Sequence, residues 1–342
     1  SPSRPLLSSF AMSARARRDL RIDLLRGSAL LFILWDHIML VPEAANPFFL
    51  MVTPALWGVS SALAIFVFLS GYVYGLVYRR LMKRNGTSFV FKKSYDRAWQ
   101  LYVFNLFTMI FSAGVVGGFS LLLDREISTI YYRADGLFHS SPEVAWHILT
   151  LQYFPGLLDV LPLYLVILLL SPLYLVWLRR GDWGLWGATT TSVGLYAMAQ
   201  YGLNLPAPMM TGSGGFWPFN PFAWQLLFFI GITLGWRKPP LLCKRWARAA
   251  AVVVGLSILK IWLLPRLARS GVPMPEWLIA PIPWADKGSL GPVRLAYFLT
   301  LAYATAYYTQ SWGARLRSNE WGTRLLRVGL VKPGQYSLTV YT

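Results

Sequence analysis

Long apolar blocks recur along this chain, separated by short polar stretches. A block of about 17–25 residues can cross a bilayer as a helix. Eight blocks qualify: Leu24–Val41, Val59–Tyr78, Ala98–Leu123, Val160–Leu178, Leu185–Tyr201, Asn220–Trp236, Ala249–Leu264 and Val293–Tyr308. A ninth starts near Gln335 and is cut off where the sequence stops at Thr342. The expected fold is therefore all-α, a polytopic membrane bundle of eight full spans and a truncated ninth. The first block sits where a signal peptide would. It lacks a small-residue cleavage site and carries Arg26, Asp36 and His37, so it reads as a retained span. There is neither an internal repeat of the kind that marks many secondary transporters nor a dividing linker. Residues 1–20 read as a basic cytoplasmic tail and 21–342 as a single domain.

The polar stretches decide sidedness. With the N-terminus cytoplasmic, 24 of the 32 Lys and Arg residues fall on the inside. They occupy the N-terminal tail, Arg79–Arg97, Arg179–Arg180, Arg237–Arg248 and Arg315–Lys332. Arg125, Arg133, Arg266, Arg269, Lys287 and Arg294 fall on the other side, and Arg26 and Lys260 lie within spans. That asymmetry follows the positive-inside rule.

Composition narrows the class further. The 342 residues are 56% hydrophobic and only 13% charged, with a net charge of +18, whereas a soluble domain carries about 25% charged residues. A nucleic-acid binder would explain the charge but not the apolar bulk, so no nucleic-acid partner is expected. Most of the excess charge lies on one membrane face, where it sets orientation and can draw in an anionic donor. Cys243 is the single cysteine, which excludes a disulfide framework and a cysteine metal cluster. With only His37, His139 and His147 as histidines, no metal site is expected.

The outer loops are rich in Pro, Gly and aromatic residues. Ser141-Pro142-Glu143 reads as a helix start with a capping Ser, an early Pro and an early carboxylate. It opens a short amphipathic helix through Tyr153, on or in the outer interface. Thr211–Gly215 reads as a flexible loop ahead of the aromatic Phe216–Trp224 stretch, and His139 and His147 as solvated.

Ionisable groups inside membrane helices are costly and mark function by default. Arg26 and His37 stand 11 residues apart, close to three turns, so they share a helix face about 16 Å apart along the axis. Asp23 lies one turn before Arg26 and can pair with it. An extended anionic substrate entering from the cytoplasm suits this geometry. Arg26 would hold a phosphate or carboxylate, and His37 would act as a general base at the far end. The competing reading has Arg26 snorkelling to lipid headgroups and His37 closing a buried hydrogen bond. Asp36 points about 100° away from His37 and would orient it only through a distorted helix end; otherwise it meets another helix.

Other polar positions carry paired readings. Ser70 and Gly71 suit close helix packing or substrate contact. Arg97 is a second donor-phosphate contact or a topological anchor. Asp159 caps the fourth span or binds an acceptor hydroxyl, with Tyr164 beside it in sequence. Asn220, Trp224 and Gln225 combine a helix start with amide and indole groups, and Trp224 either stacks on a sugar or joins an interfacial aromatic belt. Lys287 and Arg294 meet an anionic acyl terminus or solvent.

Several blocks together resemble the OpgC family, within the broader membrane acyltransferase family 3. They are Arg-Ile-Asp-Leu-Leu-Arg-Gly from Arg21 with Asp36-His37 after it, Phe-Val-Phe-Leu-Ser-Gly-Tyr at 66–72, and Arg-Ala-Trp-Gln-Leu-Tyr at 97–102. Asp-Val-Leu-Pro-Leu-Tyr at 159–164 and Phe-Asn-Pro-Phe-Ala-Trp-Gln-Leu-Leu-Phe at 219–228 continue the series. Arg294 in Gly-Pro-Val-Arg-Leu and Gly-Gln-Tyr-Ser-Leu at 334–338 complete it. The broader family's signature is an Arg, ten residues, then a His, as at Arg26 and His37. The resemblance implies a bacterial inner-membrane enzyme of about ten spans, so the last span or spans are missing here. It would hold no permanent cofactor, and would move a succinyl group from cytoplasmic succinyl-CoA to periplasmic osmoregulated glucans. His37 would be catalytic, with Asp36 adjoining, and Arg26, Asp23 and Arg97 would lie on the donor side. Asp159, Tyr164, Asn220, Trp224, Gln225, Lys287 and Arg294 would be candidates for the acceptor or acyl group. The partners implied are the acyl-CoA, the glucan and the lipid bilayer. Alternatives are acyl transfer, such as acetylation, to another envelope glycan, a covalent acyl-His route, or a flippase for an anionic lipid-linked substrate.

Overall fold

All eight apolar segments fall on helices in the computed structural model, as far as they lie within its described residues. Those residues are 19–38, 60–123, 142–154, 158–208, 214–238, 243–280, 282–315, 324 and 326–334. The tail up to residue 18, His139, the loop residues 211–213 and the ninth segment from Gln335 lie outside them. In chain order the helices are α1 (Leu20–Ile38), α2 (Ala62–Leu123), α3 (Pro142–Leu149), α4 (Val160–Arg179), α5 (Asp182–Gln200) and α6 (Pro221–Arg237). They continue with α7 (Lys244–Ile258), α8 (Leu264–Arg269), α9 (Glu276–Ile279), α10 (Pro292–Tyr308) and α11 (Trp312–Arg315), and π turns lie at Leu259–Leu263 and Arg327–Val331. The first π turn precedes Pro265, whose missing N–H cannot bond back to the preceding turn.

Three helical stretches are long and apolar enough to cross a membrane: Ala62–Leu122, Val160–Arg179 and Lys244–Ala268. Their outward side chains are apolar. Phe107, Ile110, Phe111, Leu121 and Leu122 on α2 are exposed, as are Val252, Leu256 and Leu259 from α7 into the π turn. Large apolar groups facing outward in this number suit lipid rather than water.

The basic stretch Arg79–Arg97, expected as a loop, is helical throughout except at one residue. Gly86, at φ 83° and ψ 177°, takes a conformation reserved almost entirely for glycine, and there α2 breaks into two arms. Tyr74 and Ser94 then meet side chain to side chain at 2.5 Å, although 20 residues of straight helix would hold them ~30 Å apart. The arms therefore fold back on each other as a helical hairpin with Gly86 at its tip.

The first arm locks onto α6 through two facing glycine pairs. A side-chain carbon on Gly71 would strike the Phe228 carbonyl, and one on Gly75 the Ile232 carbonyl. Gly231 and Gly235 press in return on the carbonyls of Phe68 and Tyr72. Small residues four apart let helix backbones approach this closely. Beyond Gly71, the signal available in the sequence is the matching four-residue spacing of Gly71/Gly75 and Gly231/Gly235. Around this contact α6 becomes the centre of the core: Ala223, Trp224, Leu227, Phe228 and Ile232 are fully buried, with α4 supplying Leu163, Ile167, Leu168 and Leu175.

The loops collect at two opposite ends of α4, α5 and α6. At one end Arg237 pairs with Asp182 at 2.8 Å, Arg179 donates to Thr87 Oγ1 at 2.8 Å, and Arg79 donates to the Trp236 carbonyl. At the other end Asn220, Leu203, Gln200 and residues 282–291 meet. Both groupings match the two sets of loops that charge counting separates.

The short helix α3 differs from expectation in length and in its histidine. It stops at Leu149, with Leu151 turned to φ 57°, because Tyr153 and Phe154 pack beneath it on Ala207 and Trp217. His147 is not solvated. Its side chain is 13% exposed, with Nδ1 at 2.8 Å from Gln152 Oε1 and Nε2 at 3.8 Å from Glu143. The helix also docks on α2, where the Tyr102 hydroxyl donates to the Leu149 carbonyl at 2.9 Å.

Candidate functional site

The polar heart of the bundle is built on α1. Asp19 starts it: its Oδ1 accepts from the Arg21 amide at 3.1 Å and from Arg21 Nε at 2.9 Å. Its Oδ2 accepts from Arg21 Nη2 at 2.6 Å. This cap-and-clamp at the helix entrance raises the Arg21 pKa through the hydrogen bond to Asp19. One and two turns further in, Asp23 and Arg26 are both 0% exposed. Burial rules out the snorkelling reading of Arg26.

Arg26 faces the first arm of α2. Its Nη2 lies 3.5 Å from Ser70 Oγ, and its Cζ sits 5.6 Å from the centroid of the Phe66 ring, a cation–π geometry. Phe66 in turn tilts against Tyr164 of α4 with ring centroids 6.2 Å apart, and Tyr164 meets Phe228 of α6 edge-on at 5.7 Å. Arg26, Ser70 and Tyr164, read separately from the sequence, thus belong to one contact chain across α1, α2 and α4. Ser70 has a polar role beside its packing one.

A backbone contact closes the opposite side. A side-chain carbon on Gly27 would strike the Leu330 carbonyl, and one on Gly334 the Asp23 carbonyl. The segment 326–334 therefore covers α1 next to Asp23 and Arg26. Both glycines stand in the sequence blocks above, Gly27 closing the first and Gly334 opening the last, but those blocks assign neither a packing role; Gly27 beside an intramembrane Arg was the available signal.

His37 lies on the same unbroken helix, so the three-turn spacing from Arg26 holds along the backbone. The helix is regular through Ile38, which leaves Asp36 about 100° round from His37. Arg97 lies on the second arm of α2. Counting from the Tyr74–Ser94 contact, it comes about level with Gly71, next to Ser70. Its Nη1 donates to Gln100 Oε1 at 3.0 Å. Asp159 precedes α4 but makes no side-chain cap, because its backbone is already helical at φ −81° and ψ −17°.

Four acceptor candidates gather around the loop 282–291, at the end of the bundle opposite the Arg237–Asp182 pair. Asn220 is a helix cap, with Oδ1 accepting from the Phe222 amide at 3.0 Å, and its own amide N–H donates to the Gly288 carbonyl at 2.9 Å. Trp224 is 0% exposed. Its Nε1 donates to the Gly288 carbonyl at 3.1 Å, and Phe219 packs on the ring at 5.5 Å. Sugar stacking and an interfacial belt both need an open ring face, and the structure seals Trp224 in the core. Arg294 Nε donates to the Ala285 and Asp286 carbonyls at 3.0 and 3.1 Å. Lys287 is exposed, its Nζ 5.4 Å from the Phe219 ring. Gln225 stands apart: its Nε2 donates to the Ser192 and Phe222 carbonyls at 2.8 and 2.9 Å, and its Oε1 accepts from Ser192 Oγ at 2.6 Å. These amides and indoles build the scaffold of that end.

Within that loop Asp286 Oδ2 accepts from the Ser289 amide at 2.6 Å and the Ser289 hydroxyl at 2.7 Å. Burial pushes the Asp286 carboxyl up. The Ser289 donors, the Lys287 amide and the charge of Arg294 outweigh it and hold the carboxyl below its ordinary value.

The family described as OpgC protein matches residues 18–342, and the chain belongs to it. Membership carries an acyltransferase-type role in glucan modification, and with the apolar helices it makes this a membrane protein. Comparison with curated proteins and with solved structures gives no match.

Proposed function

We propose that this OpgC-family member is a multi-pass inner-membrane O-acyltransferase. It carries a succinyl group from cytoplasmic succinyl-CoA to hydroxyls of periplasmic osmoregulated glucans. One observation carries the reading: Arg26 is fully buried inside an apolar bundle, in contact with Ser70 and Phe66. A buried guanidinium is costly, and such a residue in a membrane helix marks a substrate path. Arg26 takes the anionic donor side, next to Asp23, with Arg97 at the same level as a second cation. The basic end of the bundle faces the cytoplasm and the 282–291 end the periplasm.

His37, three turns along the same helix, is the general base. It removes the proton from a glucan hydroxyl as that oxygen attacks the thioester carbonyl. The C–S bond breaks, the ester forms, and the proton passes to the departing CoA thiolate. Tyr164 lines the path between, and Asp159, at the outer start of α4, receives acceptor hydroxyls. Lys287 is the exposed cation for the succinyl carboxylate. Arg294 acts behind it by holding the loop.

The test is transfer by purified protein in liposomes, followed by mass spectrometry of the glucan. His37→Ala should lower the rate by about 10²–10⁴, the usual weight of a general base. Wild-type rates in that variant, or movement of a lipid-linked substrate with no thioester cleavage, would overturn the proposal. Acetyl in place of succinyl on the product would overturn the donor assignment alone.

A further inference from the structure

Residues 282–291 form a loop gripped from three helices. From α6 come the Asn220 amide and the Trp224 indole, both donating to the Gly288 carbonyl. From α5, Gln200 Nε2 donates to the Ser289 carbonyl at 2.8 Å and the Tyr196 hydroxyl to the Leu290 carbonyl at 2.9 Å. From α10, Arg294 holds two carbonyls and the Val293 amide donates to the Trp284 carbonyl at 3.3 Å.

This clamping holds Trp284 at φ 60°, a left-handed backbone that is unfavourable for a residue with a side chain. A bulky residue there is an outlier, and such strain persists where surroundings impose it and function uses it. The ring so presented is 70% exposed. A tryptophan serving only as a membrane anchor needs no such backbone, as the equally exposed Trp277 on α9 illustrates.

We infer that Trp284 is the stacking platform for a sugar ring of the acceptor glucan, displayed at the outer end by the clamped loop. An indole face suits the C–H face of a pyranose, while Lys287 and Ser289 stand nearby in the loop for its hydroxyl edge. The inference rests on the acceptor being a glucan, and it moves the sugar-stacking role from the sealed Trp224 to a ring that is open.

Trp284→Gly is the discriminating variant. Glycine accepts φ 60° without cost, so the loop keeps its shape while the ring is lost. Binding of purified periplasmic glucan to the reconstituted protein, measured by calorimetry, requires no turnover. The expected result is about tenfold weaker binding, with a melting temperature at or above wild type and an unchanged KM for succinyl-CoA. Trp284→Phe should recover part of the affinity. Equal glucan affinity in wild type and Trp284→Gly overturns the platform, as does glucan failing to bind the wild type. Ring-dependent binding without any acyl transfer keeps the platform and overturns the proposed reaction instead.

Discussion

Gly27 and Gly334 lie backbone to backbone. A side-chain carbon built on Gly27 would come within 3.2 Å of the Gly334 nitrogen, and one on Gly334 within 3.0 Å of the Gly27 nitrogen. More than 300 residues apart in sequence, the two ends of the described chain meet one residue from Arg26. The buried cation is therefore framed by α2 on one side and by segment 326–334 on another.

Widening that contact should disturb Arg26. Gly27→Val and Gly334→Val each add volume where backbone already meets backbone, at a cost of about 1–3 kcal/mol. Melting temperature in detergent should fall for both, and acyl transfer should fall further than for an equally destabilised variant elsewhere in the bundle. Transfer that tracks stability alone would detach the segment from the site.

Arg26 itself should not accept lysine. Arg26→Lys keeps the charge but loses the planar fork and the ring contact with Phe66. The KM for succinyl-CoA should rise about 30-fold or more, which corresponds to about 2 kcal/mol, the range for breaking a buried charged contact. Equal kinetics in the lysine variant would reduce Arg26 to a point charge.

The hairpin tip should tolerate only glycine. Nothing stands within 4 Å of a side-chain carbon at Gly86, so its requirement is one of backbone alone. Gly86→Ala should cost about 1–3 kcal/mol, and Gly86→Asn should not rescue it, because ψ 177° lies outside the left-handed helical region asparagine tolerates. A neutral Gly86→Ala, by thermal unfolding, would mean the arms do not turn there.

Acid should loosen the outer loop through Asp286. Its carboxyl titrates in the folded protein below the ordinary 3.8. Its stabilisation is thus complete above that value and is lost as pH falls through the lower folded one. Asp286→Ala should melt below wild type at pH 7, with the gap closing as the pH drops under about 4. A gap independent of pH would mean the carboxylate charge does not hold Ser289.

Hydropathy and charge along the chain already define where the apolar helical segments lie and which loops share an end. Both depend on composition within about twenty neighbouring residues, and lipid imposes helix on any apolar run of that length. Arg26 was legible for the same reason: a guanidinium in a greasy helix is conspicuous wherever it points. What Arg26 touches was not. Its meeting with Ser70 depends on how α1 lies against α2, and its cover by Gly334 on a contact spanning almost the whole chain. The same limit explains Trp224, Asn220 and Arg294. Their residue types pointed to sugar and acyl recognition, yet buried amides, indoles and guanidinium groups must satisfy hydrogen bonds wherever packing places them, and packing placed them behind the 282–291 loop. Sequence alone determined a membrane-embedded helical protein with an arginine–histidine face. That Arg26 is sealed in the bundle, and that Trp284 rather than Trp224 keeps an open ring, follows from the tertiary structure. Burial and backbone strain belong to contacts between helices, and no local stretch of sequence contains them.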